Sequence, residues 1–196
     1  MCEGKREATL AADSSERIFD ELLARRCKRG ESQAWRMLVG RYEKRLLYFI
    51  RRLVDDERDA WDVLQQTWMS AVKSIGKLEE PRALRTWLYR IARNESINHL
   101  RRDGRRMEAS DSEAVENVVD DSADDDTWST ETAEQVHAAL ARLPRRHREV
   151  LTLHFLEDAS VEEIATVLDV PAGTVKSRLY YARAALREQL EQREVR

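Results

Sequence analysis

Glycine and proline are scarce in this chain, with six and three among 196 residues. Both interrupt helices, so their scarcity leaves long stretches in which helix can propagate, and the expected class is all-α. Cysteine is scarcer still. Cys2 and Cys27 sit in no C-x-x-C pair, which excludes a disulfide framework and leaves a tail thiol and a helix residue. His99, His137, His147 and His154 are scattered without metal-ligand spacing. No apolar run approaches the roughly 18 residues that span a membrane, and the polar N-terminus lacks the apolar core of a secretory signal. A cytoplasmic protein without membrane insertion is expected. Also missing are a Gly-rich phosphate loop and a nucleophile paired with a base, so neither an enzyme nor a cofactor is expected.

Charge is abundant, at 36% of residues, and it is segregated behind a formal net charge of −3. Met107 to Ala133 holds ten acids and no Lys or Arg, whereas Arg82 to Arg106 holds eight arginines against Glu95 and Asp103. At about 100° per residue, Leu84, Leu88, Ile91 and Ala92 form the apolar stripe of a helix in the basic stretch. Trp87, Arg90, Asn94, Asn98 and Arg101 recur at spacings of three and four on another face. Guanidiniums hold phosphates, amides pair with base edges, and an indole offers a plane for an unpaired base. The bland alternative is a solvated arginine-rich helix with one half-buried tryptophan.

Taken in order, residues 1–15 are polar and read as a mobile tail. Ile18, Phe19, Leu22 and Leu23 open a helix that Gly30 stops, and Ser32 is placed to cap the next, with Trp35, Leu38, Val39, Tyr42, Leu46 and Phe49 inward. After Asp55 and Asp56 comes a third helix with Trp61, Leu64, Trp68, Val72 and Ile75 as its buried stripe and Asp62, Gln65 and Gln66 on the other side. Gly76 to Pro81 is a break before the arginine-rich helix. These four helices make a first domain, residues 16–106. The acidic segment 107–131 is expected to be a flexible linker, because it cannot bury enough apolar area to offset its ordering entropy. In the second domain, 132–196, Val136, Leu140 and Leu143 mark one helix. Pro144 starts another, in which Val150, Leu151, Leu153 and Phe155 pack. Ser160 to Glu163 is a capping box, and Val161, Ile164, Ala165 and Leu168 share one apolar face. A tight turn over Asp169 to Gly173 then leads to a helix carrying Lys176, Arg178, Arg183 and Arg187, which together make a helix-turn-helix.

Three separated motifs carry a resemblance: D-A-W-D-V-L-Q-Q-T-W from Asp59, T-W-L-Y-R-I-A-R-N from Thr86 with H-L-R-R after it, and L-P-R-R-H-R-E-V-L followed by P-A-G-T-V-K-S-R-L. In this order they are similar to bacterial sigma factors of the extracytoplasmic-function (ECF) type, over residues 18–190. The resemblance implies two helical domains, sigma-2-like and sigma-4-like, in a promoter-recognition subunit of RNA polymerase. It implies that Asp62, Gln65 and Gln66 dock on the β′ clamp helices of core polymerase, with the β flap as a further contact. It implies that Trp87, Arg90, Asn94, Asn98, Arg101 and Arg102 open and hold the minus-ten element, with the loop Lys77 to Arg82 taking a flipped base. It places Lys176, Ser177, Arg178, Tyr180 and Tyr181 in the major groove of the minus-thirty-five element. Tyr181 stands where relatives commonly carry a basic residue. An anti-sigma factor is a further partner of many relatives. Two rivals remain from the residues alone: a stand-alone helix-turn-helix regulator that binds duplex DNA without polymerase, and a metal-dependent nucleic-acid enzyme built on the linker acids.

Overall fold

The computed structural model describes the backbone of residues 3–102 and 133–194, and side chains over 15–102 and 135–191. The acidic segment 107–131 lies outside the described residues. Within them the fold is helical: α1 (Glu3–Lys28), α2 (Ser32–Ile50), α3 (Glu57–Ser74), α4 (Leu84–Arg102), α5 (Ala133–Leu140), α6 (Arg145–Leu151), α7 (Val161–Leu168) and α8 (Ala172–Glu194). Single 3-10 turns, Ile75–Lys77 and Pro81–Ala83, fill the break before α4.

α1 reaches back to Glu3, through residues assigned to a tail from the sequence. Alanine, glutamate, lysine and leucine dominate that stretch, and all are strong helix formers. The α1–α2 corner turns on Gly30, whose φ of +78° favours a residue without a Cβ. Ser32 is not the cap. Glu31 holds that position, and its carboxylate receives Arg26 Nε at 2.6 Å and Arg29 Nε at 2.9 Å, so ion pairs fix the corner. α3 starts as Asp56 dictates, its side chain accepting from the N–H groups of Arg58 and Asp59 at 2.8 and 3.1 Å.

The first core packs Leu23, Leu38, Tyr42, Leu46, Phe49 and Ile50 against Leu64, Leu84, Leu88 and Tyr89, none more than 2% exposed. Phe49 meets Tyr89 edge to face at 5.3 Å between centroids, an arrangement worth about 0.5–1.5 kcal/mol beyond its area. Asp20 is buried with it. The Tyr42 hydroxyl and Arg41 Nε, the latter at 2.8 Å, both donate to its carboxylate, which offsets the cost of burying the charge. Only Leu23 of the four apolar residues expected to open α1 reaches this core. Ile18, Phe19 and Leu22 are 66, 38 and 50% exposed.

In the second unit the capping box forms as the sequence requires: Ser160 Oγ accepts from Glu163 N at 3.2 Å and Glu163 Oε2 accepts from Ser160 N at 2.9 Å. Asp169, at φ +56°, ends α7 in a left-handed cap, and Val170 N donates back to Ala165 O. The turn is therefore shorter than expected, because α8 begins at Ala172. Val175, Leu179, Ala182 and Leu186 pack inward from α8, while Phe155 stays 42% exposed beneath the Arg183 guanidinium, 5.4 Å from its ring centroid.

The two units touch: α7 lies against α4. Arg45 Nη2 meets Glu157 Oε2 at 2.7 Å, Arg85 Nη2 meets Glu163 Oε2 at 3.0 Å, and Arg93 Nε lies 3.5 Å from Glu149 Oε1. Arg85 Nη1 also donates to the Glu157 carbonyl at 3.0 Å, and Tyr48 Oη bonds His137 Nδ1 at 2.6 Å.

Candidate nucleic-acid interface

α4 divides its circumference three ways. Leu84, Leu88 and Ala92 face the first core, and Arg85 and Arg93 reach the second unit. The remaining face exposes Arg90, Asn94, Asn98, Arg101 and Arg102, with Trp87 half-buried at its edge against the core. All six residues expected to handle the minus-ten element thus share one helix, and five of them are exposed. Three cations and two amides on a surface face, beside an indole plane, suit an unpaired strand with its phosphates and base edges both accessible. The adjoining loop is pinned from α1: Lys28 Nζ donates to Leu78 O at 2.8 Å and Arg82 Nε to Glu21 Oε2 at 3.0 Å. Arg25 and Arg82 both hydrogen-bond the Glu21 carboxyl and hold it below the usual carboxylate range.

α3 is tied to α4 by Ser70 Oγ donating to Glu95 Oε1 at 2.7 Å, with His99 Nε2 3.3 Å from Asp59 Oδ2. Asp62, Gln65 and Gln66 are exposed and line a polar cleft with Glu95, His99 and Arg102. The sequence pattern misplaces part of the other side of α3. Trp61 and Val72, expected inside, are 47 and 56% exposed, and with Leu64, Trp68 and Met69 they line an open apolar groove between Glu43 and Lys73. The core is filled from α3 by Ala60, Val63, Leu64 and Ala71, so its apolar arc is wider than one core can cover. That excess was the available signal for the groove.

On α8, Lys176, Tyr180 and Tyr181 are exposed and Arg178 is half-buried. Ser177 is not available to DNA in this arrangement. It is 3% exposed, and its hydroxyl donates to Thr174 O at 3.1 Å, a local backbone bond that lets a small polar residue sink into the helix packing. Behind the recognition helix sits His147, 7% exposed, with neither ring nitrogen hydrogen-bonded. Burial, reinforced by the Arg146 and Arg178 charges, lowers its pKa to about 4. Burial likewise lowers His154, whose Nε2 receives Arg183 Nη2 at 3.0 Å. Cys27 is buried and its thiol pushed up to about 11, mainly by desolvation, which leaves no reactive thiolate there. Among the described residues no cluster of His, Cys, Asp or Glu is arranged to hold a metal ion, and no helix is long and apolar enough to cross a membrane.

A helix-turn-helix in one unit and an arginine-amide face in the other define a two-module DNA-binding protein. The family model for Sigma-70 region 2 matches residues 38–106 and that for Sigma-70 region 4 matches 133–186. Over 181 residues the chain is 39% identical to the RNA polymerase sigma-H factor of Pseudomonas aeruginosa, covering 88% of this chain and 94% of that one. With the ECF RNA polymerase sigma-E factor of Escherichia coli it shares 34% identity over the same coverage. The chain belongs to the sigma-70 family, in its ECF group. Among solved structures it is similar to CnrH in complex with the cytosolic domain of CnrY, with 26% identity and a TM-score of 0.64 over 88% of this chain and 97% of that one. It is also similar to the sigma factor RpoE in complex with the anti-sigma factor NepR from Bartonella quintana, with 28% identity and a TM-score of 0.61 over 80% and 96%.

Proposed function

We propose that the chain binds core RNA polymerase in the cytoplasm and directs promoter recognition, DNA melting and transcription initiation, with the work divided among three surfaces. Asp62, Gln65 and Gln66, together with the apolar groove of Trp61, Met69 and Val72, dock on the polymerase. The exposed face of α4 takes the melted minus-ten strand. The start of α8 reads the minus-thirty-five duplex through Lys176, Arg178, Tyr180 and Tyr181. What carries this assignment is the α4 face, because a regulator that reads only duplex DNA has no use for an indole and two amides beside its arginines. An anti-sigma partner would compete for the same apolar groove, which lies open and is lined by Trp61, Leu64, Trp68, Met69 and Val72.

Replacing Trp61 and Val72 with serine is expected to weaken core-polymerase binding by roughly 30-fold, the effect of losing about 2 kcal/mol of an interface hot spot. Since both side chains are already half-exposed, the melting temperature should hardly move. Competition for core polymerase measures the affinity, and an unchanged value would remove the groove from the docking surface.

Replacing Lys176 and Arg178 with alanine is expected to cost roughly 1–3 kcal/mol for each base edge no longer bound, and to relax preference at the base pairs concerned. Transcription by the reconstituted holoenzyme from a library randomised upstream reads this directly. A uniform weakening across all sequences would reassign both residues to phosphates.

A further inference from the structure

We propose that Lys28 and Glu21 of α1 are positioning residues for base reading in the minus-ten strand: they touch no DNA themselves, but fix the loop Lys77 to Arg82 in the shape from which it reads. The loop is anchored by two buried leucines, Leu78 at 4% exposure and Leu84 at 0%. A 3-10 turn stands at each end, Ile75–Lys77 and Pro81–Ala83, closed by Leu78 N donating to Ile75 O at 3.1 Å and Ala83 N to Glu80 O at 2.9 Å. Between the turns the backbone is extended at Leu78 and Glu80, and extended backbone holds no shape by bonds within itself. The hold comes from α1, which packs against both turns. Lys28 Nζ donates to the Leu78 carbonyl at 2.8 Å where the loop begins, and Glu21 Oε2 accepts from Arg82 Nε at 3.0 Å where it ends. Positions 21 and 28 are two helical turns or about 10 Å apart on α1, so both grips project from one face. Arg25 Nη2 donates to the other Glu21 oxygen at 2.7 Å and steadies the carboxylate. The Lys28 grip is the stronger of the two. It is a charge-assisted bond to a part-buried carbonyl, whereas the Arg82 side chain is 76% exposed and water screens its ion pair.

What the loop does for DNA rests on the minus-ten role proposed above for α4. Pro81–Ala83 runs straight into α4, so the loop sits at the N-terminal end of the helix that carries Trp87 and Arg90 near its start. A strand lying along that face passes the loop, and there it meets the exposed side chains of Lys77, Glu79 and Glu80. A carboxylate accepts from an exocyclic amine of a base, and an ammonium donates to a ring nitrogen or a carbonyl. Such groups discriminate between bases only when the backbone beneath them holds them at hydrogen-bonding distance, within about 0.5 Å. A loop free to change shape would follow whichever base arrived, and would spend binding energy on its own ordering. Gripped at both ends, it presents one arrangement, and a base that does not match leaves a polar group unpaired. Arg82, engaged by Glu21, belongs to this frame.

The test is transcription by holoenzyme reconstituted with the full chain, on a promoter library randomised across the minus-ten element. A reference variant, Glu79→Ser with Glu80→Ser, marks the positions that the loop reads. Lys28→Met keeps the aliphatic stem and removes the ammonium. It should flatten preference about tenfold at the marked positions, the loss of one base contact, and leave the other positions, the melting temperature and the affinity for core polymerase as in wild type. Lys28→Arg, which still donates to a carbonyl, should restore most of the preference. Glu21→Gln should cost about twofold at the same positions, in keeping with a screened surface pair. A Lys28→Met profile identical to wild type would overturn the proposal. Equal loss at every position would do the same, since Lys28 would then support the fold and not the reading, and so would failure of Lys28→Arg to rescue. An unaltered Glu21→Gln profile would strike Glu21 from the assignment. If the reference variant changed no preference, the loop would not read the strand and the positioning role would fall with it. The α4 assignment would still be decided separately, by strand opening after substitution of Asn94 and Asn98.

Discussion

Alanine at both Asn94 and Asn98 is expected to reduce open-complex formation by about 100-fold while leaving core-polymerase binding intact. Each amide that pairs with a base edge contributes roughly 1–3 kcal/mol of discrimination, and every 1.4 kcal/mol is a factor of about ten. Both side chains are exposed on α4 and belong to neither the core nor the contact between units, so their removal should not unfold the chain. Adding Trp87→Ala should deepen the defect by the roughly 1–3 kcal/mol that a stacking plane supplies. Trp87 also packs against the first core, so that variant must be judged beside its melting temperature. Permanganate footprinting of the minus-ten region gives the direct reading. Normal thymine reactivity in the double variant would show that α4 does not hold the melted strand.

Acid is expected to destabilise the second unit before the first. His147 has a folded-state pKa of about 4, against about 6.5 in an unfolded chain. Above pH 6.5 neither state carries the proton, and the histidine leaves stability independent of pH. Between about 6.5 and 4 the unfolded chain takes the proton and the folded one refuses it, so stability falls by up to about 1.4 kcal/mol per pH unit, or about 3 kcal/mol in all. His154 and His137, both lowered by burial, act in the same direction. Against a total of roughly 5–15 kcal/mol for a typical domain, this is a large share. Hydrogen exchange followed from about pH 7.5 to 4.5 should show α6 and α8 losing protection ahead of α2 and α3. His147→Gln, which removes the titration, should flatten the dependence. If the substituted protein were as acid-sensitive as wild type, burial of His147 would not be the cause.

Much of the fold was legible because its signals are local. Gly30 at positive φ, Asp56 capping α3, the Ser160–Glu163 box and the helical spacing of Leu84, Leu88 and Ala92 each depend on neighbours within one or two turns. The α4 face was legible for the same reason. Less legible was which apolar arc is covered by what. Helical period gives the direction of a hydrophobic face but not the width that a neighbouring helix will bury, so Trp61, Val72 and Phe155 were expected inside and lie at the surface. Ser177 was assigned to DNA by its place on the helix, whereas its small size and its bond to Thr174 let it face inward. The contact between units was invisible, since nothing near Glu157 in sequence announces a partner 112 residues away in Arg45.

Glu163 Oε2 accepts hydrogen bonds both from Ser160 N and from Arg85 Nη2. One atom therefore serves two masters, and the position is pleiotropic: any exchange is judged by the integrity of the helix-turn-helix and by the grip between units at once. Glutamine keeps the first role and relinquishes the charge of the second. Aspartate, one methylene shorter, strains to reach both donors, and lysine or arginine opposes both. Few side chains satisfy such a double demand, so the contact between the units is altered with least disturbance of α7 through Glu149 and Glu157, whose side chains take no part in its N-terminal cap.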